Sequence, residues 1–458
     1  MSTADADRMH RHDSASAQVV LDYVAWRVAL AEPPLDGLGD RRHLEQMVEG
    51  LIGPGPRDVR EVLDVYAAHL SETILSTDSP RNFAFIPAAP TEAAVLFDMV
   101  VSAASLQGCS WLEAAGAVVA ENQALRVLAD AAGMPATAGG VFVAGGSAGN
   151  LSGLAVARDL ARLRRRSAGA SEQGLRVVVS DQAHSSIASA LNLLMLDALV
   201  VPTRDGRLTR ADLQQALDRE TTLADVVAIV ATAGTTNAGI VDDLAAAADA
   251  AQAHGWWFHV DAAYGGAALL SRKVRNRFAG IERADSMVTD PHKWWFAPFD
   301  CAALIYANPH LAKAVHTQDA SYLDVLHGPD DDLNPSDLAY HLTRRARGLP
   351  LWFSLAVNGL DAYRDAVDAV IDLTHYAAER IRHSPVLELV REPELSVVLF
   401  RRHGWTADDY DRWSRQLLTE QVAFVMRSAW RGETVGRLVF LHPGTTQAMV
   451  DQVLDSLT

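Results

Sequence analysis

The chain has 458 residues, of which 49% are hydrophobic, and its formal net charge is −17. This length predicts more than one domain, and the acidic balance argues against sequence-independent nucleic-acid binding, which needs clustered lysine and arginine. The only cysteines are Cys109 and Cys301, so no disulfide framework is expected. This low cysteine content fits a reducing cytosol. Because the polar first sixteen residues hold no signal core and no stretch of about 18 apolar residues follows, we expect a soluble cytoplasmic protein.

The first part of the chain is predicted to be helical. Apolar residues recur at three- and four-residue spacing from about Val19 to Ser79, and helices continue through about Ala132 after a proline-containing stretch at 79–91. The one basic run, at 162–166, ends a later predicted helix, where it complements the helix dipole or is simply solvated. These patterns predict a helical segment over residues 1–85.

From Gly140 the pattern changes to short β-branched runs separated by helical stretches. The runs are apolar throughout rather than alternating, which is typical of strands buried on both faces of a mostly parallel sheet. They are VFVA (141–144), RVVVS (176–180), LVVP (199–202), VVAIVATAG (226–234), WWFHVDAA (256–263), SMVTD (286–290) and AALIYA (302–307). Residues 86–364 are therefore predicted to form a large α/β domain. The later strands SVVLFRR (396–402) and GRLVFL (436–441), mixed with helices, predict a small α+β domain over 365–458.

Polar residues follow several of these strands, at the edge where open α/β sheets bind ligands. The glycines around Ser147 lead into a helix whose first amides favour an anion, although a plain glycine turn with Ser147 as its cap is an alternative. His184 follows RVVVS and Thr235–Thr236 follow the fourth run, where a structural histidine and a simple turn are the alternatives. Asp261 follows the apolar run WWFHV. Burying its carboxylate there costs free energy unless a cation pairs with it, as in a cofactor site or a structural salt bridge.

A lysine stands beside bulky rings in DPHKWW (290–295), directly after a strand. Lysine is rarely fully buried unless it is paired or takes part in chemistry. Pyridoxal 5′-phosphate needs this set of groups together: a lysine amine for its aldehyde, a carboxylate for its pyridinium nitrogen and an anion site for its phosphate. We expect apolar surroundings to keep the amine of Lys293 neutral and nucleophilic for part of the cycle.

At this point the sequence resembles the group II pyridoxal-phosphate-dependent decarboxylases, and within them the aromatic-L-amino-acid decarboxylase branch. The resemblance covers most of the chain from about Ser79 and rests on DQAHSS (181–186), HVDAAYGG (259–266), PHKWW (291–295) and FDCAALIY (299–306). It implies the PLP-dependent transferase fold type I, with a mostly parallel seven-stranded sheet. It also implies a carboxy-lyase of class EC 4.1.1 that converts an L-amino acid to its amine and carbon dioxide.

The resemblance implies a role for each residue of the expected site. Lys293 would form the Schiff base, and Asp261 would hold the ring nitrogen protonated. Ala263 would lie against one ring face, and His184 would stack on the other. Gly146, Ser147 and Thr236 would contact the cofactor, mainly its phosphate, and His292 would help to bind the phosphate or fix the approach of the lysine. Asp290 departs from the mammalian-type pattern, which has asparagine there, so it would place an extra carboxylate near the phosphate.

A second set of implied roles falls on the loop QDASYLDV (318–325), which resembles the family's mobile catalytic loop. Tyr322 matches its tyrosine and would protonate the substrate Cα, alone or together with His184. Relatives that release an aldehyde typically change the tyrosine or the stacking histidine, so the presence of both favours an amine product. A tyrosine packed on the surface is the alternative.

The segment FAFIPAAPT (83–91) resembles the family's lining of the substrate side chain. It is apolar and has no lysine or arginine for a distal carboxylate, which favours an aromatic or other apolar L-amino acid. Trp111, after Ser110, stands where the family presents a serine–tryptophan pair to the partner subunit's site. The expected substrate residues are Phe85, Ile86, Pro87, Ala88 and Trp111. The stretches at 112–122 and 442–446 depart from the family pattern and leave the substrate open.

The N-terminal helices resemble the family's swapped segment, and a lone helical pair could not bury an apolar stripe. We therefore expect an obligate homodimer with active sites at the interface, with packing on the same subunit as the alternative. Other functions stay open: an oxidative decarboxylase–deaminase giving an aldehyde, an aminotransferase or lyase on this fold, and a catalytically silent partner subunit. No nucleic acid, membrane or metal ion is expected to bind.

Overall fold

A seven-stranded sheet lies at the centre of the protein, whose computed structural model describes residues 8–86, 89–318 and 333–458. The strands are β1 (Gly139–Val143), β2 (Arg176–Ser180), β3 (Asp197–Val201), β4 (Val226–Thr232), β5 (Trp257–Asp261), β6 (Ser286–Thr289) and β7 (Ala302–Tyr306). Their spatial order is β1-β7-β6-β5-β4-β2-β3, and only β7 runs antiparallel to its neighbours. The predicted mostly parallel sheet is confirmed, and each predicted run matches its strand to within two residues.

Helices cover both faces of this sheet, as continuous apolar strands predict. Successive strand residues alternate between two apolar cores: Val177 and Val179 face one, and Val178 faces the other. The described helices are Ser14–Val28, Arg41–Val48, Val59–Val65, Glu92–Ala103, Trp111–Ala132, Gly146–Ser167, Ser185–Leu194, Arg210–Leu217, Leu244–His254, His310–His316, Leu349–Arg382, Ala407–Thr419 and Gln447–Asp455. The protein therefore has the layered α/β architecture that its sequence predicts.

A second sheet is antiparallel throughout and follows the order β10-β11-β9-β8. Its strands are β8 (Leu387–Leu389), β9 (Val397–Arg402), β10 (Met426–Trp430) and β11 (Glu433–Val439). The sequence analysis missed β8, which has three residues, and β10, whose residues are mostly exposed. The helix Leu349–Arg382 runs through the predicted boundary at 364/365, so the division into domains stays a prediction.

The three N-terminal helices, between residues 14 and 65, contain no fully buried residue.

The predicted basic helix end is confirmed at the end of the helix Gly146–Ser167. Arg165 donates to the carbonyl oxygens of Ser171 and Ala224, and Arg166 pairs with Glu172. In the parts of the chain that the structure describes, no helix is both long and apolar enough to cross a membrane.

The sheet encloses a fully buried histidine on β5. His259 Nδ1 lies 2.7 Å from Ser286 Oγ, which also accepts a hydrogen bond from Trp257 Nε1. His259 Nε2 lies 2.8 Å from Asn150 Oδ1. Burial lowers the pKa of His259 to about 4, because the charged imidazolium would lose its hydration there. At neutral pH the ring is therefore neutral.

This histidine predicts a loss of stability in mild acid. The unfolded chain, whose histidine has a pKa near its ordinary value of about 6.5, binds the proton first as the pH falls. The stability that neutral His259 contributes is present above that value and is lost as the pH falls towards 4. Between pH 7 and pH 5, the free energy of unfolding should drop by about 2 kcal/mol more in the wild type than in His259→Gln.

Chemical denaturation at the two pH values measures this difference. His254→Gln, which changes an exposed histidine at the end of the preceding helix, should follow the wild type. Equal pH dependence in His259→Gln and the wild type would contradict the prediction.

Candidate functional site

A cavity of about 200 Å³ opens at the carboxyl edge of the large sheet. Its lining comes from the segments that follow β1, β2, β4, β5 and β6, where parallel strands end together. The lining residues are Gly145, Gly146, Ser147, Asn150, His184, Ser186, Thr232, Gly234, Thr236, Asp261, Ala263, Tyr264, Asp290, His292 and Lys293. The structure thus brings together all nine residues predicted to contact the cofactor.

The glycines after β1 form an open helix start at the cavity wall. Gly145 is the N-cap of the helix Gly146–Ser167 and provides no side chain to satisfy the first amides. Ser147 is therefore not the cap, and the alternative of an ordinary Ser147-capped turn is wrong. A Cβ on Gly146 would lie 3.0 Å from both carboxylate oxygens of Asp290 and from Ala263 Cβ, so only glycine leaves this space open.

Asp261 is a buried carboxylate that two fixed donors hold in place. Its Oδ1 accepts a hydrogen bond from the Ala263 amide at 3.1 Å, and its Oδ2 accepts one from Asn150 Nδ2 at 2.9 Å. Among the described residues, no lysine, arginine or histidine forms an ion pair with it, so the structural salt bridge considered from the sequence is not found. A buried carboxylate without a protein cation suits a cationic nitrogen of a ligand.

Asn150 connects Asp261 to two histidines. Because an ionised carboxylate only accepts hydrogen bonds, Asn150 must direct its NH₂ group at Asp261 and its carbonyl oxygen at His259 Nε2. Asn150 Nδ2 also donates to Ser186 Oγ at 3.0 Å, and that oxygen lies 2.8 Å from His184 Nδ1. One amide therefore sets the orientation of polar groups on both sides of the cavity.

Asn150, Ser186 and His259 were not among the predicted site residues. Asn150 lies one helical turn after Gly146, and the other two lie within the quoted stretches DQAHSS and HVDAAYGG. His184 Nδ1 also accepts a hydrogen bond from the Ser186 amide and caps the helix Ser185–Leu194. The structural role considered as the alternative for His184 is therefore confirmed.

Lys293 faces a carboxylate rather than aromatic rings. Its Nζ lies 2.9 Å from Asp290 Oδ2, and 24% of its side chain is exposed. Trp294 and Trp295 are buried in the core, where one stacks on Tyr264 and the other donates to Thr289. The expectation that the rings desolvate this amine is wrong, because they turn away from the cavity.

His292 lies on the same wall beside Asp290. Its Nδ1 accepts the Cys301 amide at 3.0 Å, and its Nε2 lies 3.5 Å from Asp290 Oδ2. Burial lowers the pKa of His292, so the neutral ring carries its proton on Nε2, on the side of the cavity.

The described substrate residues of the prediction, Phe85, Ile86 and Trp111, do not line this cavity within one chain. Phe85 is 60% exposed, Ile86 packs on the core, and Trp111 donates through Nε1 to the Leu333 carbonyl. Pro87, Ala88 and the predicted proton donor Tyr322 lie outside the described residues. Thr235 accepts the Ile240 amide through its hydroxyl, which confirms the simple-turn alternative for this residue.

A buried arginine, also missed from the sequence, joins the substrate segment to the cavity wall. Arg437 donates to the carbonyl oxygens of Phe85, Thr236 and Asn237. Burial lowers the pKa of Arg437 to about 10, since only neutral carbonyl groups compensate its lost hydration.

The residues present fit pyridoxal phosphate. The open helix start and the Nε2–H of His292 suit a phosphate, and Asp261 suits a protonated ring nitrogen. Lys293 supplies an amine on the same cavity wall as Asp290. The small side chain of Ala263 leaves room for a flat ring.

Comparisons with known proteins agree with this fit. A family model described as the pyridoxal-dependent decarboxylase conserved domain matches residues 46–403. An aromatic-L-amino-acid decarboxylase of Bacillus atrophaeus is 28% identical over 462 residues, covering 98% of this chain and 94% of the relative. An L-2,4-diaminobutyrate decarboxylase of Rhizobium meliloti (strain 1021) is 32% identical over 378 residues, covering 80% of this chain and 74% of the relative.

The fold is also that of solved decarboxylases. The crystal structure of Oryza sativa TDC with PLP and tryptamine matches with a TM-score of 0.89 at 24% sequence identity, over 100% of this chain and 99% of that chain. The family match spans most of the chain, and the resemblance predicted from the motifs is confirmed. The chain belongs to the pyridoxal-dependent decarboxylases, enzymes that use pyridoxal phosphate to remove carbon dioxide from amino acids.

Proposed function

We propose that this enzyme converts an aromatic or other apolar L-amino acid to its amine and carbon dioxide, with Lys293 as the residue that bonds the cofactor. The observation that carries the proposal is the pairing, in one cavity, of the cation-free carboxylate Asp261 with Lys293. The chain contains three lysines, and Lys293 is the one in this cavity. The relatives include decarboxylases named for aromatic amino acids and for diaminobutyrate, so they do not identify the substrate class. The substrate class is therefore inferred from the residues predicted to line the substrate pocket.

Bound pyridoxal phosphate supplies a ring that accepts the electrons of the broken Cα–carboxylate bond. Asp261 favours a positive charge on the ring nitrogen, which strengthens that electron demand. The two bonds from Asn150 and Ala263 keep the carboxylate from rotating away, so it meets this charge without reorganisation.

Other residues of the chain position the reacting groups. The first amides of the helix at Gly146 and Ser147, the Thr236 hydroxyl and His292 Nε2 would hold the phosphate. Ser186 fixes the ring of His184 through Nδ1, so its Nε2 would be free to contact the cofactor or the substrate.

Tyr322 is proposed to deliver the final proton to Cα. A phenol hydroxyl is a competent proton donor when a loop brings it close to the reacting carbon. The presence of both Tyr322 and His184 favours an amine over an aldehyde product.

We further propose a homodimer in the cytoplasm. The N-terminal helices bury no residue fully, and large apolar side chains such as Trp26 and Leu112 stay exposed at 55% and 66%. A second copy that covers them would complete the substrate pocket with Trp111.

Both cysteines are buried free thiols, which fits a reducing compartment such as the cytoplasm.

Product analysis by mass spectrometry tests the reaction. With pyridoxal phosphate, in air, a panel of aromatic, aliphatic, acidic and diamino L-amino acids should give an amine from an aromatic or apolar member. Lys293→Ala should form none, whereas Lys273→Ala, at a surface ion pair, should match the wild type. Tyr322→Phe should slow amine formation by about 10²–10⁴-fold, and Tyr376→Phe, outside the cavity, should not.

Three results would count against this account. Aldehyde and hydrogen peroxide from the wild type would support the oxidative alternative. Amine formation from acidic or diamino substrates alone would overturn the apolar substrate class. If no panel member reacts, although pyridoxal phosphate binds, the silent-homologue alternative gains support.

Complementation between two inactive variants tests the shared site. Lys293→Ala and Trp111→Arg should each be inactive, and denaturing and refolding them together should give mixed dimers with one intact site. About a quarter of the wild-type activity should return in an equal mixture if chains pair at random. Sedimentation of the wild type at the mass of one 49.4 kDa chain would contradict the dimer, and so would inactive mixed dimers.

A further inference from the structure

Asp290 is a buried carboxylate that only one charged group compensates. The residue is 2% exposed, and its Oδ2 lies 2.9 Å from Lys293 Nζ. Its Oδ1 is buried and has no hydrogen-bond partner among the described residues. Such an oxygen is unfavourable when no donor reaches it, because it loses its hydration without compensation. Since Asp290 lines the cavity, a bound molecule can reach this carboxyl group.

The carboxylate lies at the place where the cavity favours a phosphate. Both of its oxygens lie 3.0 Å from the position of a Cβ on Gly146, the first residue of the helix whose open amides attract anions. A phosphate monoester carries a charge of about −1.5 to −2 at pH 7. Two adjacent anions in a buried site repel each other strongly unless a proton or cation lies between them.

Apart from Lys293, the neighbouring groups provide no such charge. His292 is neutral because burial lowers its pKa, and the Cys301 thiol is neutral because burial raises its pKa. Asp261, which also lines the cavity, is a second carboxyl group rather than a cation. Lys293 is the one cation among the described lining residues. Once its nitrogen is bonded to a cofactor carbon, it keeps its positive charge but only one of the three protons that an ammonium offers to Asp290.

We propose that Asp290 takes up one proton when pyridoxal phosphate is loaded and that its neutral carboxyl group then donates a hydrogen bond to a phosphate oxygen. In this step the carboxylate–ammonium pair, the cofactor aldehyde and one proton from solvent give a neutral carboxylic acid, a positively charged lysine nitrogen that carries one proton and is bonded to the aldehyde carbon, and one water. With asparagine at this position the same loading takes up no extra proton. The inference rests on the family's cofactor and does not depend on the proposed substrate.

A proton taken up on binding makes the affinity depend on pH. The affinity of the wild type for pyridoxal phosphate should fall by up to about tenfold per pH unit, relative to that of Asp290→Asn, as the pH rises. The amide of Asp290→Asn donates to the phosphate without needing a proton, so this variant should bind more tightly than the wild type in mild alkali.

Calorimetric titration of the apoprotein with pyridoxal phosphate tests the proposal directly. Titrations at one pH in buffers of different ionisation enthalpy give the number of protons taken up. The wild type should take up about one proton more than Asp290→Asn. Asp285→Asn is the matched control: Asp285 directly precedes β6, Asp290 directly follows it, and Asp285 does not line the cavity. This control should give the wild-type proton number.

Equal proton uptake by the wild type and Asp290→Asn would overturn the proposal. If Asp290→Asn does not fold, Asp290→Ser replaces it with the same expected difference. A wild type that does not bind pyridoxal phosphate at all would instead contradict the cofactor, so the two failures are distinguishable.

Discussion

The hydrogen bond from Asn150 to Asp261 fixes the polarity of the whole site. Asp261 is an acceptor only, so it determines which end of the Asn150 amide faces it, and that amide then determines the tautomer of His259. The same NH₂ group reaches Ser186 and, through it, His184. A negative charge at the end of β5 is thereby held in a rigid network before any ligand arrives. Such preorganisation is what makes a fixed charge effective in a buried site.

At the start of the helix Gly146–Ser167, the chain places a carboxyl group where a negatively charged ligand group is expected to bind. A helix start attracts anions, and the chain already places the carboxylate of Asp290 beside it. Lys293 compensates this carboxylate at 2.9 Å in the structure. If cofactor loading bonds Lys293, as proposed, its nitrogen keeps only one of its three protons, so the hydrogen bonding of Asp290 must change as well. The two carboxylates of the cavity thus differ in their surroundings: Asp261 accepts two fixed hydrogen bonds, whereas Asp290 pairs with Lys293 through one oxygen and has no partner for the other among the described residues.

Much of this arrangement is predictable from the sequence, because parallel strands that end in polar residues gather those residues at one edge. The seven strands follow from this pattern, and the nine residues that the pattern and the family resemblance together assign to the cofactor do line one cavity. The direction of Trp294 and Trp295 does not follow from it, because an irregular turn has no repeat that assigns side chains to a face. The contact of Asn150 with His259 joins residues 109 positions apart, and no local pattern predicts it. The substrate-binding roles of Phe85 and Trp111 stay predictions, since neither residue lines the cavity of its own chain.

The most direct test of the account is to locate the cofactor bond. Reduction of the loaded protein with borohydride makes this bond permanent, and peptide mass mapping then identifies the modified residue. The chain has only three lysines, Lys273, Lys293 and Lys313, so the assignment is unambiguous. The account predicts the pyridoxyl group on Lys293 and its loss in Lys293→Arg. Attachment to Lys273 or Lys313, or none to any lysine, would contradict it.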